Sequence, residues 1–142
     1  REERRVLLQT LLSAALARYA RRRIVVLVDD PPDSAALADT IATIGEVIGL
    51  VAEPMEPLKG ALVRWQRRRA RDRVDLAAEA KQLAHHFLDA AAWLDRTALW
   101  LDAQCTSEFR HVDAFFTERV VRDLAARWQA AADDYAATAR KD

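Results

Sequence analysis

Glycine and proline are confined to the first 60 residues of this 142-residue chain, and this distribution constrains the fold more than any other feature. All three glycines and all four prolines lie there, the last of them being Gly60. Because these two residue types interrupt helices, nothing after Gly60 breaks a helix by residue type. The sequence therefore predicts two regions, a mixed α/β unit over residues 1–56 and an all-helical region over residues 57–142.

The first region contains a short run that has the composition of a strand. Residues 24–28 read Ile-Val-Val-Leu-Val, which is β-branched and apolar on both faces. This composition is typical of a strand covered on both sides in a parallel sheet. A single strand cannot form a sheet, so we expect its partners to lie outside this chain or in another copy of it. We therefore interpret the chain as part of a longer protein.

Helices are predicted on either side of this strand. Residues 2–19 carry apolar side chains at three- and four-residue spacing, as one face of a helix requires. A second helix is expected to start at a cap provided by Asp33 or Ser34, and Pro54 and Pro57 are expected to end it. Its predicted inner face consists of Leu37, Ile41, Ile44, Ile48 and Val51.

The second region has the pattern of two long helices packed lengthwise. Its first apolar seam starts with Leu62 and Trp65. After a charged stretch it continues from Leu76 at alternating steps of three and four residues. Thr106 and Ser107 give the best break, so we predict an antiparallel helical hairpin. The seams comprise Leu62, Trp65, Leu76, Ala80, Leu83, Phe87, Ala90, Leu94, Ala98, Leu101 and Cys105, then Val112, Phe116, Val120, Leu124, Trp128, Ala131 and Tyr135.

The charge balance and the cysteine content limit the classes of function that the chain can have. Lys plus Arg equals Asp plus Glu at 22 each, so the chain lacks the positive surplus of a typical nucleic-acid binder. The one cysteine, Cys105, excludes an internal disulfide. No uninterrupted apolar run approaches the roughly 20 residues that span a bilayer. We expect a cytoplasmic protein, with a position at the cytoplasmic face of a membrane left open.

Asp29 and Asp30 directly follow the predicted strand and are the candidate site residues. Ligands of open α/β sheets bind outside the carboxyl ends of the strands. A carboxylate there can accept hydrogen bonds from a base or a sugar, or hold a metal. The structural alternative is that Asp30 or Asp33 caps the following helix.

The first 35 residues resemble family 2 glycosyltransferases, including cellulose-synthase-like enzymes. Arg1-Glu2-Glu3 resembles the end of an acidic turn in that family. Residues 7–19 resemble the helix that follows this turn. Residues 24–30 resemble the family's second strand, which ends in the acidic pair. Some members of this group carry Asp-Asp-Pro-Pro, as at residues 29–32, followed by a helical insertion. Residues 26–30 also resemble the start of a response-regulator receiver, but the later strand with the phosphoacceptor aspartate is replaced by a basic helical stretch.

The glycosyltransferase resemblance implies that Asp29 and Asp30 contact the uracil or ribose of a UDP-sugar. It implies a divalent cation, Mg²⁺ or Mn²⁺, in the complete enzyme, and none bound by this chain. The family's metal-binding Asp-x-Asp, catalytic base and Gln-x-x-Arg-Trp motif are not in this sequence. We therefore expect an inactive part of a glycosyltransferase whose partners are a nucleotide-sugar donor and the rest of the sheet. The alternative is a non-enzymatic helical-hairpin interaction or oligomerisation module.

Three further features have structural interpretations that we favour. His85 and Asp89 lie one helical turn apart, which could form half of a metal site, but surface histidines are the simpler interpretation. The arginine run, Arg64 and Arg67 to Arg73, could bind phosphate, lipid headgroups or nucleic acid, but we favour a solvated face paired with nearby acids. The four tryptophans, Trp65, Trp93, Trp100 and Trp128, are expected to pack between helices.

Overall fold

The structure is a computed structural model, and it describes residues 2–17, 24–27, 31–71, 75–104, 108 and 110–141. Nearly all of these residues are helical, so the predicted mostly-α character is confirmed. Residues 110–141 form one continuous helical stretch with a π-helical segment inside it. The elements are α1 (Glu2–Leu16), α2 (Ala35–Arg69), α3 (Leu76–Gln104), α4 (Arg110–Phe116), the π-helical segment (Thr117–Arg122) and α5 (Asp123–Lys141).

The predicted strand over residues 24–28 is wrong in the part that the structure describes. Residues 24–27 have no regular structure, and Val25 and Leu27 are 66% and 91% exposed. A strand needs a neighbour to pair its backbone N–H and C=O groups. No other segment of the described residues is a strand, so the α/β unit predicted for residues 1–56 has no sheet here.

The chain divides into two units, Arg1–Glu53 and Pro54–Asp142. In the first unit, α1 buries a stripe of four leucines, Leu8, Leu11, Leu12 and Leu16. Their spacing of three, one and four residues places them on one side of the helix, as the sequence predicted. Arg4 of α1 donates a hydrogen bond of 2.8 Å to Glu46 of α2, which joins the two helices at this point.

The inner face predicted for the first half of α2 is wrong at two of its five positions, and the other three are half-buried. Ile41 and Ile48 are 58% and 64% exposed, whereas Thr43 and Val47 are buried. The Thr43 hydroxyl is satisfied within the helix, since it donates to the backbone C=O of Asp39 at 2.9 Å. The burial of Thr43 therefore costs little free energy, and Ile41 and Ile48 face outward instead.

Pro54 and Pro57 do not end α2, contrary to the prediction. The helix runs through both prolines to Arg69, although each proline removes one intrahelical hydrogen bond. Beyond them, Leu58, Ala61 and Trp65 are buried in the core of the second unit. We attribute the continuation of the helix to this burial, because tertiary packing outweighs local propensity.

The second unit contains the predicted antiparallel hairpin. Phe87 of α3 stacks on Tyr135 of α5 with ring centroids 5.7 Å apart. Further along α3, Asp102 pairs with Arg122, which precedes Tyr135 in sequence. The helices therefore run in opposite directions, with α3 ending at Gln104 and α4 beginning at Arg110 on either side of the predicted break.

The predicted seam is confirmed along α3 and fails at the start of the last helical stretch. The seam residues of α3 from Ala80 to Leu101 are all buried, with Ala84 and Ala91 in addition. Val112, by contrast, is exposed, and its neighbour Asp113 is buried instead. The π-helical segment comes immediately afterwards and buries Thr117 and Val121. Because π-helical turns hold more residues than α-helical turns, they shift which positions face inward.

Candidate functional site

Asp29 and Asp30 lie outside the described residues, but the structure describes the residues immediately after them. The Ser34 N–H donates to the C=O of Pro31 at 3.0 Å, closing a turn that leads into α2. The Ser34 hydroxyl then accepts the N–H of Leu37 at 3.1 Å. Ser34, four residues after Asp30, is thus the N-cap of α2.

This cap decides between the two predicted capping residues. An N-cap side chain accepts a hydrogen bond from an amide of the first helical turn, and here that side chain is Ser34. Asp33 is exposed, and the alternative in which it or Asp30 caps α2 is not favoured by this geometry.

The histidines do not form a metal site with the described residues. His85 Nε2 lies 3.5 Å from Asp89 Oδ2, and both side chains are largely exposed. Over the described ranges, no three His, Cys, Asp or Glu side chains come together as potential ligands. The divalent cation that the resemblance implies is therefore not assigned to any of these residues.

Five arginines crowd the end of α2 and the bend after it. Arg68 pairs with Glu79 of α3 at 2.8 Å, in agreement with the predicted pairing to nearby acids. Asp75 instead caps α3, because its Oδ1 accepts the N–H of Ala78 at 3.0 Å. We call the exposed residues Arg64, Arg67, Arg68, Arg69 and Arg71 the arginine cluster.

The first half of α2 presents an apolar surface that the sequence reasoning missed. Gly45 and Gly49 lie on it with open space where a side chain would begin. A single stretch of α2 reaches a mean hydropathy of 1.6 over 18 residues, and only 11% of that window is buried. By length and composition alone, α2 is able to cross a membrane, as are many core helices and signal sequences. We define the outer face of α2 as the exposed residues Ala38, Ile41, Ala42, Gly45, Ile48 and Gly49.

The sequence does contain a signal for this surface. Gly45 and Gly49 are four residues apart, so they lie on the same side of a helix as Ile41 and Ile48. Asp39 and Glu46 flank that side without interrupting it. The prediction chose one apolar side as the inner face, but helical spacing alone does not distinguish it from the adjacent side with Val47.

Arg122 joins the two arms of the hairpin. It donates to Asp102 of α3 at 2.7 Å and also to Glu118, one turn earlier on its own helical stretch. The hydrogen bond to Asp102 is the main cause that raises the pKa of Arg122 above its ordinary value. The guanidinium therefore stays charged, and the arrangement fixes the end of the hairpin instead of forming a reactive site.

Two of the four tryptophans pack as predicted. Trp65 lies edge-on to Tyr135 at 5.5 Å, and Trp128 lies edge-on to Phe87 at 6.5 Å. Trp93 is partly buried, whereas Trp100 is exposed, contrary to the prediction. Trp65 and Phe87, with Trp128 and Tyr135 packed against them, therefore belong to the core of the second unit.

Comparison of the chain with protein-family models, curated proteins and solved structures gave no match. The assignment of function therefore depends on the residues and their geometry.

Proposed function

We propose that this chain is part of the catalytic domain of a family 2 glycosyltransferase, which transfers a sugar from a nucleotide-sugar donor to an acceptor. Asp29 and Asp30 contact the donor nucleotide in this proposal. The order of features along the chain supports it: a helix at Glu2–Leu16, the acidic pair, two prolines and then a long helical stretch.

The observation that carries the proposal is the cap of α2. Because the Ser34 hydroxyl accepts the Leu37 N–H, the start of this helix does not require the acidic pair. Pro31 also disfavours the helical conformation for Asp30, since a proline restricts the residue before it. The acidic pair precedes this helix in the sequence, and in the proposal its carboxylates contact the ligand.

The chemistry of a carboxylate pair suits this role. Ionised carboxylates accept strong hydrogen bonds from N–H and O–H donors, and a nucleoside offers both in its uracil ring and its ribose. The catalytic base and the divalent cation, Mg²⁺ or Mn²⁺, belong to the rest of the enzyme in this proposal. The chain alone is therefore expected to be inactive.

Isothermal titration of UDP into the full-length protein tests the proposal. We expect the double variant Asp29→Ala and Asp30→Ala to bind UDP at least about tenfold more weakly, since a hydrogen bond to a charged group contributes roughly 1.5–3 kcal/mol. The matched control is Asp33→Ala, which removes a neighbouring exposed carboxylate that does not cap α2. Unchanged UDP affinity in the double variant contradicts the assignment.

A second candidate function is a helical-hairpin interaction module. It is supported by exposed apolar residues near the end of α3 and in α4. Large apolar side chains are exposed on both of its arms: Leu99 and Trp100 on α3, and Val112 and Phe115 on α4. Exposed aromatic side chains are typical anchors of protein interfaces.

Light scattering of the chain with and without UDP separates the two candidates. The interaction module predicts association that increases with concentration, does not depend on UDP, and is weakened by Phe115→Ser. The matched control is Thr10→Ser on α1, an exposed residue away from this hairpin. A monodisperse monomer at all concentrations contradicts self-association through the hairpin.

A further inference from the structure

The division between the two units falls inside a helix. The first unit ends at Glu53 and the second begins at Pro54, while α2 continues from Ala35 to Arg69. Boundaries between compact units usually lie in exposed linkers that few contacts cross. Here a helix takes the place of the linker, so the stiffness of α2 at this point decides how freely the units can move.

Two prolines weaken α2 at the division. Pro54 has no N–H to donate to the C=O of Leu50, and Pro57 has none for the C=O of Glu53. Each proline ring also crowds the C=O four residues before it, which bends a helix. Leu50 and Glu53 are exposed, so water can donate to these carbonyl groups when the helix bends. Successive turns of α2 therefore each lack one hydrogen bond.

Side-chain packing does not compensate for the missing hydrogen bonds. Val47 and Leu58 are the buried residues on either side of the division, each 3% exposed, and residues 48–57 between them include no buried side chain. Segments with few buried contacts open at the lowest cost in free energy. The backbone hydrogen bonding and the packing of α2 are thus weakest in the same segment.

We propose that residues 48–57 of α2 are a hinge. In this proposal α2 bends reversibly around Pro54 and Pro57, and the parts of the helix on either side stay helical. Hinges are typically a few residues that absorb a change in backbone angles between bodies that remain rigid. The buried residues Val47 and Leu58 lie outside the segment, so bending it does not require either to become exposed. The proposal does not depend on the glycosyltransferase assignment, and its test involves no nucleotide.

Double electron–electron resonance on the whole chain tests the hinge. Nitroxide labels are attached at Ala38→Cys and Gln66→Cys, two exposed positions of α2 on either side of the segment, in a Cys105→Ser background. A straight helix would hold the two positions about 42 Å apart, at about 1.5 Å per residue. We expect a broad distribution of distances that extends below this value.

A label pair within α3 gives the width expected of a rigid helix. Lys81→Cys and Ala103→Cys are both exposed on that helix, which has nine buried residues and no proline. If the α2 pair gives a single peak as narrow as that of the α3 pair, the hinge proposal is overturned. This holds whether the peak lies at the distance of a straight helix or of a fixed kink.

Replacing the prolines should stiffen the segment. The double variant Pro54→Ala and Pro57→Ala restores both N–H donors, so we expect the distribution of the α2 pair to narrow and to centre near about 42 Å. The matched control, Glu53→Ala and Glu56→Ala, introduces alanine at exposed neighbouring positions and should leave the distribution broad. Equal breadth in the proline variant and the wild type, or equal narrowing in the control, contradicts a hinge at the prolines.

Hydrogen–deuterium exchange examines the same segment without labels. The backbone amides of residues 48–56 should exchange faster than those of residues 58–66 in the same helix. The double proline variant should slow exchange at residues 48–56 at least about tenfold, because each alanine restores a hydrogen bond and relieves the crowding by the proline ring. Wild-type protection at residues 48–56 equal to that of residues 58–66 overturns the proposal.

Discussion

The first half of α2 and the whole of α3 are both long apolar helical segments, yet they are buried very differently. On α3, nine residues from Ala80 to Leu101 are buried, and charged residues such as Asp95 and Arg96 occupy the exposed side. On the first half of α2, Thr43 and Val47 are buried, while Ile41 and Ile48 are exposed. The difference teaches that α3 packs against α5 in the second unit, whereas the first half of α2 leaves apolar side chains exposed among the described residues.

The largest expected effect comes from truncating a buried residue of α3. Leu94→Ala should lower the free energy of unfolding by about 2–5 kcal/mol, because Leu94 is fully buried and its removal leaves a cavity. Ile48→Ala on the outer face of α2 is the matched truncation and should change stability by less than about 0.5 kcal/mol. Both values come from urea unfolding followed by circular dichroism.

The contrast between the helices fails if the two variants behave alike. A large loss of stability in Ile48→Ala would mean that the outer face of α2 is already covered in solution, for instance by a second copy. Unfolding at several protein concentrations would reveal such an association, since the stability of an oligomer depends on concentration.

A smaller effect is expected where the π-helical segment sets which residues face inward. Val121→Ala should lower the free energy of unfolding by about 1–2 kcal/mol, because it removes two methyl groups from a fully buried side chain. Val112→Ala, at the exposed position that the sequence predicted to be buried, should cost less than about 0.5 kcal/mol. The reverse order in urea unfolding would show that the regular seam is correct and the π-helical register is not.

The smallest effect is expected at the start of α2. Ser34→Ala should lower stability by about 1 kcal/mol, because the Leu37 N–H loses its acceptor. Asp33→Ala should leave the thermal midpoint unchanged. If Asp33→Ala is the more destabilising variant, the aspartate caps α2 and the argument that the acidic pair is free of a capping role is weakened.

The sequence predicted the helices and the hairpin because their signals are local. The spacing from Ala80 to Leu101 has a polar opposite side, so only one inward face was available. The side of α2 that is buried was not predictable in this way, since Ile48 and Val47 belong to two apolar sides of the same helix. The strand over residues 24–28 was predicted from composition, but a strand exists only with a neighbour to pair with.

The candidate site was predictable in part. Ser34 was one of two predicted caps, and the structure identifies it as the one that bonds to Leu37. The arginine cluster was visible in the sequence as a run of arginines. The ion pair between Arg68 and Glu79, which offsets part of its charge, depends on how α2 and α3 pack in the second unit. The roles of Asp29 and Asp30 remain a prediction from the family resemblance.

Hydrogen–deuterium exchange of the full-length protein, with and without saturating UDP, is the most direct test of the proposed donor site. The glycosyltransferase proposal predicts slower exchange of backbone amides in residues 24–38, around the acidic pair and the cap of α2. It predicts no change in the core of α3. Saturating UDP that leaves residues 24–38 unprotected would contradict the donor-site assignment.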